Sequence, residues 1–355
     1  MFETEKIKVL VVDDSAIVRD IIASNIEKQD DMELIGTAPD PFIARDKIVR
    51  LNPDVITLDI EMPRMDGLTF LERLMQYYPI PVIIVSSITT DDKYAAIRAL
   101  ELGAFDVVNK PGGSITVDEV TDEILTKIRN AYFNRNTFLK KWKELSPIIS
   151  KEKKVTKKPL LSEVKTTDKV IAIGASTGGT VAIEYIVERL PKHLPPIVVV
   201  QHMPVNFTYQ FAQRLNELSE LNIKEAEEGE LLQSGTMYIA PGGQHLIIER
   251  RGASLFTTLS DDERVNFQKP AADVLFDSVA KVAGKNALGI LLTGMGKDGA
   301  EGLLAMRKSG AHTIAQDEET SIVWGMPRAA VEINAAVEVL SLDKIISAII
   351  KFTST

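Results

Sequence analysis

Short apolar runs that end on polar residues, each followed by a helical pattern, constrain this chain more than any other feature. In the first third they fall at Ile7 to Val12, Leu34 to Thr37, Val55 to Leu58, Val82 to Val85 and Phe105 to Val108. Between them, Ile17 to Ile26, Pro41 to Leu51, Leu68 to Tyr77 and Asp92 to Leu102 carry apolar residues at helical spacing, and another helix begins near Val117. Apolar runs without alternation suit strands buried on both faces. Five such strand–helix units predict a doubly wound parallel sheet, whose functional residues lie just past the carboxyl ends of the strands.

Four of those strand ends carry matching chemistry. Asp13 and Asp14 follow the first strand, Asp59 the third, Ser86 and Ser87 the fourth, and Lys110 the fifth. Carboxylates that converge at one sheet edge repel unless a cation joins them, and an oxygen-only donor set suits Mg²⁺. Such a site can also carry a phosphoryl group on one carboxylate, with Lys110 as a second positive charge and the serine hydroxyls bonding phosphoryl oxygens. Each feature alone has a plainer reading: Asp14 caps the next helix, and Lys110-Pro111 is a turn.

Taken together, Val11-Val12-Asp13-Asp14-Ser15, Leu58-Asp59-Ile60-Glu61-Met62-Pro63-Arg64-Met65-Asp66-Gly67 and Asn109-Lys110-Pro111 resemble the receiver domain of two-component response regulators. The resemblance implies a flavodoxin-like receiver over residues 1–130, with Asp59 accepting phosphate from a histidine kinase. It implies Mg²⁺ held by Asp14, Asp59 and the Glu61 backbone carbonyl, with Asp13 acting through water. It further implies Ser86 as the switch hydroxyl and Lys110 as the phosphate-binding lysine. Val107 stands at the family's switch-aromatic position, which speaks against signalling by a rotating ring.

Composition shifts over residues 131–168. Phe133 to Leu145 prolongs the last helical pattern, and Ser150 to Pro159 is dominated by lysine without periodicity, which reads as a flexible tether. A docking segment for an acidic partner is the alternative. A second alternation then fills residues 169–355. Its apolar runs are Val170 to Ile173, Ile197 to Val200, Met237 to Ile239, Leu246 to Ile248, Leu288 to Leu292 and Thr313 to Ala315. Helical patterns cover Thr180 to Leu190, Phe207 to Glu217, Ala271 to Ala283 and Gly299 to Lys308. They predict a second α/β domain, with an antiparallel hairpin around Ala240-Pro241-Gly242-Gly243-Gln244.

Three strand ends of this second region also carry chemistry. Val170 to Ile173 runs into Gly174-Ala175-Ser176-Thr177-Gly178-Gly179, a G-x-S-x-G that fits a nucleophile elbow. A phosphate-cradling glycine loop is the alternative for that stretch alone. Gln201-His202 ends the second run, and Asp298 lies in Thr293-Gly294-Met295-Gly296-Lys297-Asp298-Gly299. A serine hydroxyl needs a base to take its proton, imidazole is matched to neutral pH, and an acid on the far ring nitrogen sets the tautomer. Ser176, His202 and Asp298 supply those roles. Among the four histidines, His245 is the main rival base, with His193 and His312 behind it; Asp317 is the rival acid. The order Ser…His…Asp differs from the α/β-hydrolase order, so that fold is not assigned from G-x-S-x-G. A dinucleotide site would want G-x-G-x-x-G and an acid ending the second strand. Ser176 and Gln201-His202 stand there instead.

Gly174 to Gly179, Gln201-His202-Met203-Pro204, Ala240 to Leu246, Thr293 to Gly299, and Gln316-Asp317 with Trp324-Gly325-Met326-Pro327 resemble the chemotaxis protein-glutamate methylesterases, the CheB family. That resemblance implies a modified Rossmann-like catalytic domain over residues 169–355 with a Ser176, His202, Asp298 triad and oxyanion donors near Thr177 and Met295. It implies a methylated glutamate on a chemoreceptor helix as substrate, some members also deamidating glutamine, and an unphosphorylated receiver that covers the active site. Lys269-Pro270-Ala271-Ala272 departs from the common Arg-Pro-Ser-Val. A non-catalytic, receiver-controlled binding regulator is the alternative function.

Bulk properties narrow the partners. A net charge of −9 argues against nucleic acid and acidic membrane surfaces, and no basic recognition helix is visible. The chain has no cysteine, which removes disulfides and thiol chemistry and fits the cytoplasm. Its charged start is no signal peptide, and no apolar run reaches the ~20 residues of a membrane span.

Overall fold

The structure is a computed structural model that describes residues 5–86, 90–110, 117–149, 168–205 and 207–354. The chain divides into two compact units, Met1–Lys151 and Glu152–Thr355. Ser87, Pro111 and the Lys-rich stretch Ser150 to Pro159 lie outside the described residues.

In the first unit the elements run β1 (Ile7–Val12), α1 (Ala16–Glu27), β2 (Met32–Ala38), α2 (Pro41–Leu51), β3 (Val55–Leu58), α3 (Gly67–Tyr77), β4 (Val82–Ser86), α4 (Thr90–Glu101), β5 (Asp106–Asn109) and α5 (Val117–Ile149). The strands pair in parallel in the order β2-β1-β3-β4-β5, the doubly wound sheet expected from the alternation and the flavodoxin-like winding implied by the receiver resemblance. Every residue of β3 and β4 is buried, which is why these strands read as unbroken apolar runs. Ser15, rather than Asp14, is the N-cap of α1; Asp14 stays exposed at the sheet edge. The helical extension past residue 130 is packed: Phe138 is 3% exposed, with its ring 5.1 Å from that of Phe105.

The second unit comprises β6 (Val170–Ala175), α6 (Gly179–Val187), β7 (Ile197–Gln201), α7 (Phe207–Leu218), β8 (Asn222–Glu225), β9 (Thr236–Ile239), β10 (His245–Arg251), β11 (Ser254–Ser260), α8 (Ala272–Ala283), β12 (Ala287–Leu291), α9 (Ala300–Lys308), β13 (His312–Gln316), α10 (Met326–Glu332), β14 (Glu338–Leu340) and α11 (Leu342–Ser354). Seven strands form one parallel sheet in the order β14-β13-β12-β6-β7-β9-β8. The chain winds outward from β6 through β7 on one side and later returns through β12 on the other. The crevice between the carboxyl ends of β6 and β12 is therefore a topological switch point, where open α/β sheets place ligands. Phe276 of α8 and Leu303 and Met306 of α9 bury against Ala172 and Leu291 beneath it.

The hairpin is present but sits elsewhere than its predicted turn. Residues 240–244 carry the chain out of the large sheet into β10, and the hairpin is β10–β11, closed at Gly252-Ala253. Gly252 has φ 63°, the sign a two-residue hairpin turn requires. The Gly242-Gly243 pair that suggested a turn has a packing reason instead. A Cβ on Gly242 would lie 2.8 Å from the Pro204 carbonyl oxygen, beside the end of β7.

Candidate active site and phosphoacceptor site

Adjacent strands bring the serine and histidine together. Ala175 of β6 pairs with Gln201 of β7, so Ser176 and His202 leave the sheet side by side. The Gln201 side-chain amide donates to the Ser176 carbonyl at 2.9 Å and to the His202 carbonyl at 3.1 Å, tying the two turns to each other. The loop after β12 closes over the same edge. Ser176 N–H donates to the Thr293 carbonyl at 3.0 Å, and a Cβ on Gly294 would lie 2.7 Å from Ser176 Cβ. Only a glycine lets that loop approach so closely.

Asp298 ends this loop and meets the histidine. Its Oδ2 lies 2.8 Å from His202 Nε2, both side chains being almost wholly buried. Ala272 N–H donates to Oδ2 at 2.6 Å and Asp273 N–H to Oδ1 at 3.3 Å, placing the carboxylate at the N-terminus of α8. Burial raises the Asp298 carboxyl, but His202, the Ala272 N–H and the Asn266 amide outweigh burial and hold it below the usual carboxylate range. An ionised Asp298 accepts a hydrogen bond from Nε2–H, which keeps the proton on that nitrogen and leaves Nδ1 as the acceptor of the ring. Nδ1 is buried and has no hydrogen-bond partner, so the bond from Ser176 Oγ to this nitrogen is not made here. Such contacts often tighten only once substrate is bound. Ser176 itself is half-buried, and Met295 beside it is 41% exposed with its N–H unbonded among the described residues.

The rivals have other work. His245 is 1% exposed; it accepts from Ala271 N–H at Nδ1 and reaches the Glu263 carbonyl with Nε2, so both nitrogens are used to hold backbone. His312 pairs with Glu338 at 2.8 Å. Asp317 bonds Thr320 N–H and hydroxyl in its own turn. Two contributors escaped the sequence reading: Asn266, which donates to Asp298 Oδ1 at 3.1 Å, and Asp273, which shares that amide. Neither sits in a glycine-marked turn or at a strand end, so no local signal pointed to them.

In the first unit, carboxylate oxygens of Asp13, Asp14 and Asp59 lie within 4.8 Å of one another. Lys110 Nζ reaches Asp59 Oδ2 at 2.6 Å and Asp13 Oδ2 at 3.0 Å. Burial, with help from the Asp13 charge, pushes the Asp59 carboxyl up to about 6 despite Lys110. Burial likewise raises Asp13, while the two acids raise Lys110 against its own burial. Three converging carboxylates with one lysine fit a hard divalent cation of Mg²⁺ type. Glu61 N–H donates to Asp59 Oδ1 at 3.2 Å, which sets the loop after β3 against the acid. A Cβ on Gly67 would run into the Asp59 carbonyl, which explains the glycine at the head of α3. Ser86 is 1% exposed at the end of β4, and its carbonyl accepts from Lys110 N–H at 2.7 Å. Val107 is buried in β5.

These two sheets, one edged by acids and a lysine and the other by Ser176, His202 and Asp298, define a response regulator with an enzymatic output domain. Residues 9–121 match the response regulator receiver domain, and residues 171–349 match the family described as CheB methylesterase. The chain belongs to the CheB methylesterase family. It is 50% identical over 346 residues to the protein-glutamate methylesterase/protein-glutamine glutaminase 2 of Syntrophus aciditrophicus, covering 98% of this chain and 99% of that one. It is 48% identical over 345 residues to the protein-glutamate methylesterase/protein-glutamine glutaminase of Escherichia coli strain K12, covering 96% and 95%. The crystal structure of the Thermotoga maritima CheB methylesterase catalytic domain superposes with a TM-score of 0.51 at 42% identity, over 52% of this chain and 97% of that one. Among the described residues no helix is long and apolar enough to cross a membrane.

Proposed function

We propose that this chain hydrolyses glutamate methyl esters on the cytoplasmic helices of chemoreceptors and is switched on by phosphorylation of Asp59. The observation that carries the chemistry is the His202 ring, held by Asp298 at Nε2 with Nδ1 unpartnered beside the Ser176 turn. In this reading Nδ1 takes the Ser176 proton as Oγ attacks the ester carbonyl. The tetrahedral intermediate collapses, the His202 proton goes to the methoxide, and methanol leaves. Water then gives a proton to His202 and cleaves the acyl-enzyme, returning Ser176 and a glutamate. A receptor glutamine follows the same path with ammonia as the leaving group. The Met295 N–H and donors at Thr177 face the growing oxyanion, each worth about 3–4 kcal/mol in other serine hydrolases.

The receiver reading rests on the acid cluster and the Lys110 contacts. Asp59 takes the phosphoryl group from a chemotaxis histidine kinase; Asp14, Asp59 and the Glu61 carbonyl, with Asp13 through water, would hold Mg²⁺, which would supply positive charge to the phosphoryl oxygens. Lys110 and the Ser86 hydroxyl contact the phosphoryl group. Residues 1–130 then form the receiver, 131–168 the helix extension and linker, and 169–355 the catalytic domain of a cytoplasmic enzyme that neither binds nucleic acid nor inserts into membranes.

The test is methanol release from methylated chemoreceptor membranes, with wild type and Ser176→Ala, each with and without a small-molecule phosphodonor. Release that needs Ser176 and rises with donor only when Asp59 is intact supports the proposal. No release from wild type, together with a Ser176 inert toward a fluorophosphonate probe, selects the binding regulator instead.

A further inference from the structure

The four residues Val265 to Gln268 form a tight turn beside the active site. Val265 and Gln268 exchange backbone hydrogen bonds at 3.1 and 2.9 Å, and the two central residues, Asn266 and Phe267, both have positive φ, 51° and 64°. Asparagine tolerates that backbone; phenylalanine rarely adopts it, and Phe267 is 90% exposed, so its ring packing does not hold the turn. What the turn does is aim Asn266 inward. Its amide nitrogen donates to Asp273 Oδ2 at 2.7 Å and to Asp298 Oδ1 at 3.1 Å. Asp273 is itself pinned, since its Oδ1 accepts from Gly302 N–H of α9 at 2.7 Å. Both Asp273 oxygens thus face donors, the pattern of an ionised carboxylate.

Two carboxylates this close repel unless something lies between them, and burial together with the Asp298 charge pushes Asp273 up to about 6. Asp277, on the same helix, adds a further negative charge. The Asn266 amide, offering one N–H to each acid, relieves the repulsion and admits only one orientation. If its oxygen turned inward it would confront two anions.

We propose that Asp273 is a positioning residue for the esterase: by fixing the Asn266 amide it holds the Asp298 carboxylate, and through it the His202 ring, in the single orientation that leaves Nδ1 toward Ser176. The catalytic assignment it acts on is the one proposed above, but the positioning itself is read without turnover.

The experiment uses full-length protein labelled with ¹⁵N in histidine. His202 resonances are identified by their loss in His202→Gln. Wild type holds the Nε2–H tautomer; Asp273→Asn and Asn266→Ala both shift His202 to a tautomer mixture. In Asp273→Asn the new amide presents a donor to one of the two donors it replaces acceptors for, so the isosteric change still breaks the bridge. Asn266→Ala removes the amide itself, at some cost to a turn whose backbone is left-handed at this position, and keeps the test open should Asp273→Asn not fold. In methanol release, kcat falls on the order of 10–100-fold in each variant while KM stays within about twofold, the loss expected from misplaced reacting groups. The double variant is no slower than the slower single one, because both act through one amide. An unchanged His202 tautomer in folded Asn266→Ala overturns the proposal, as does an unchanged kcat. Release that persists in Ser176→Ala would instead sink the esterase assignment, and the tautomer result would still decide the positioning role.

Discussion

At the residue scale, the site depends on which proton each ring nitrogen holds. Asp298→Asn preserves shape but offers His202 Nε2 a mixed amide in place of an anion, so the wrong tautomer becomes accessible. Its kcat should fall on the order of 10³–10⁴-fold with the fold intact, as measured by methanol release beside a thermal melt. Asp59 carries a second residue-scale prediction. Its folded carboxyl lies at about 6 against an ordinary 3.8, so the folded receiver binds the proton more tightly than the unfolded chain does. Without divalent cation, stability therefore falls as pH rises from 3.8 through 6, and the full cost is present above 6. Asp59→Asn removes that cost and should stabilise the receiver at pH 7 by at most about 3 kcal/mol, less what Lys110 loses with its partner. The advantage should shrink in urea melts below pH 5. Phosphorylation by a small donor should slow below about pH 6 for the same reason, since a protonated carboxyl is a poor nucleophile.

At the element scale, α8 and α9 position the acid. The N-terminus of α8 binds Asp298, and α9 packs across α8 with Gly302 at the contact. A Cβ there would lie 2.8 Å from the Asp273 carbonyl oxygen and 2.8 Å from Phe276 Cβ. Backbone must move to admit even a methyl, so Gly302→Ala should cost about 1–3 kcal/mol in urea unfolding. It should also lower esterase activity beyond what lost stability explains, because the Gly302 N–H holds Asp273. A similar close approach sets Gly67 under Asp59 at the head of α3. Glycines in these motifs thus mark places where two backbones meet at a site.

At the scale of the whole molecule, each unit has its own sheet, its own core and its own site. A fragment spanning residues 169–355 should fold alone and release methanol at a rate indifferent to phosphodonor, while the full chain responds. A fragment that still responds, or a full chain that does not, would contradict control by the receiver.

The alternation of apolar runs and helical patterns was enough to define two parallel α/β sheets. Strand ends marked most of the chemistry, because in such sheets the residue after a buried strand must emerge at the functional edge. Asp13, Asp59, Lys110, Ser176 and His202 were legible for that reason. The two edge strands of the second sheet were not: β8 (Asn222–Glu225) and β14 (Glu338–Leu340) are short and largely unburied, and their pairing comes from neighbours rather than from an apolar run of their own. Nor could periodicity separate His202 from His245 as the candidate base, since both follow apolar stretches or glycines. The fold decides it by occupying both nitrogens of His245 with backbone and leaving one of His202 open. Asp298 was visible as a candidate, but its ionisation, its place at the head of α8 and the Asn266–Asp273 pair behind it depend on segments some 25–32 residues away in sequence. Local composition sets where a polar group leaves a sheet; only the packed tertiary structure sets which groups it then faces, and so which of them hold a charge.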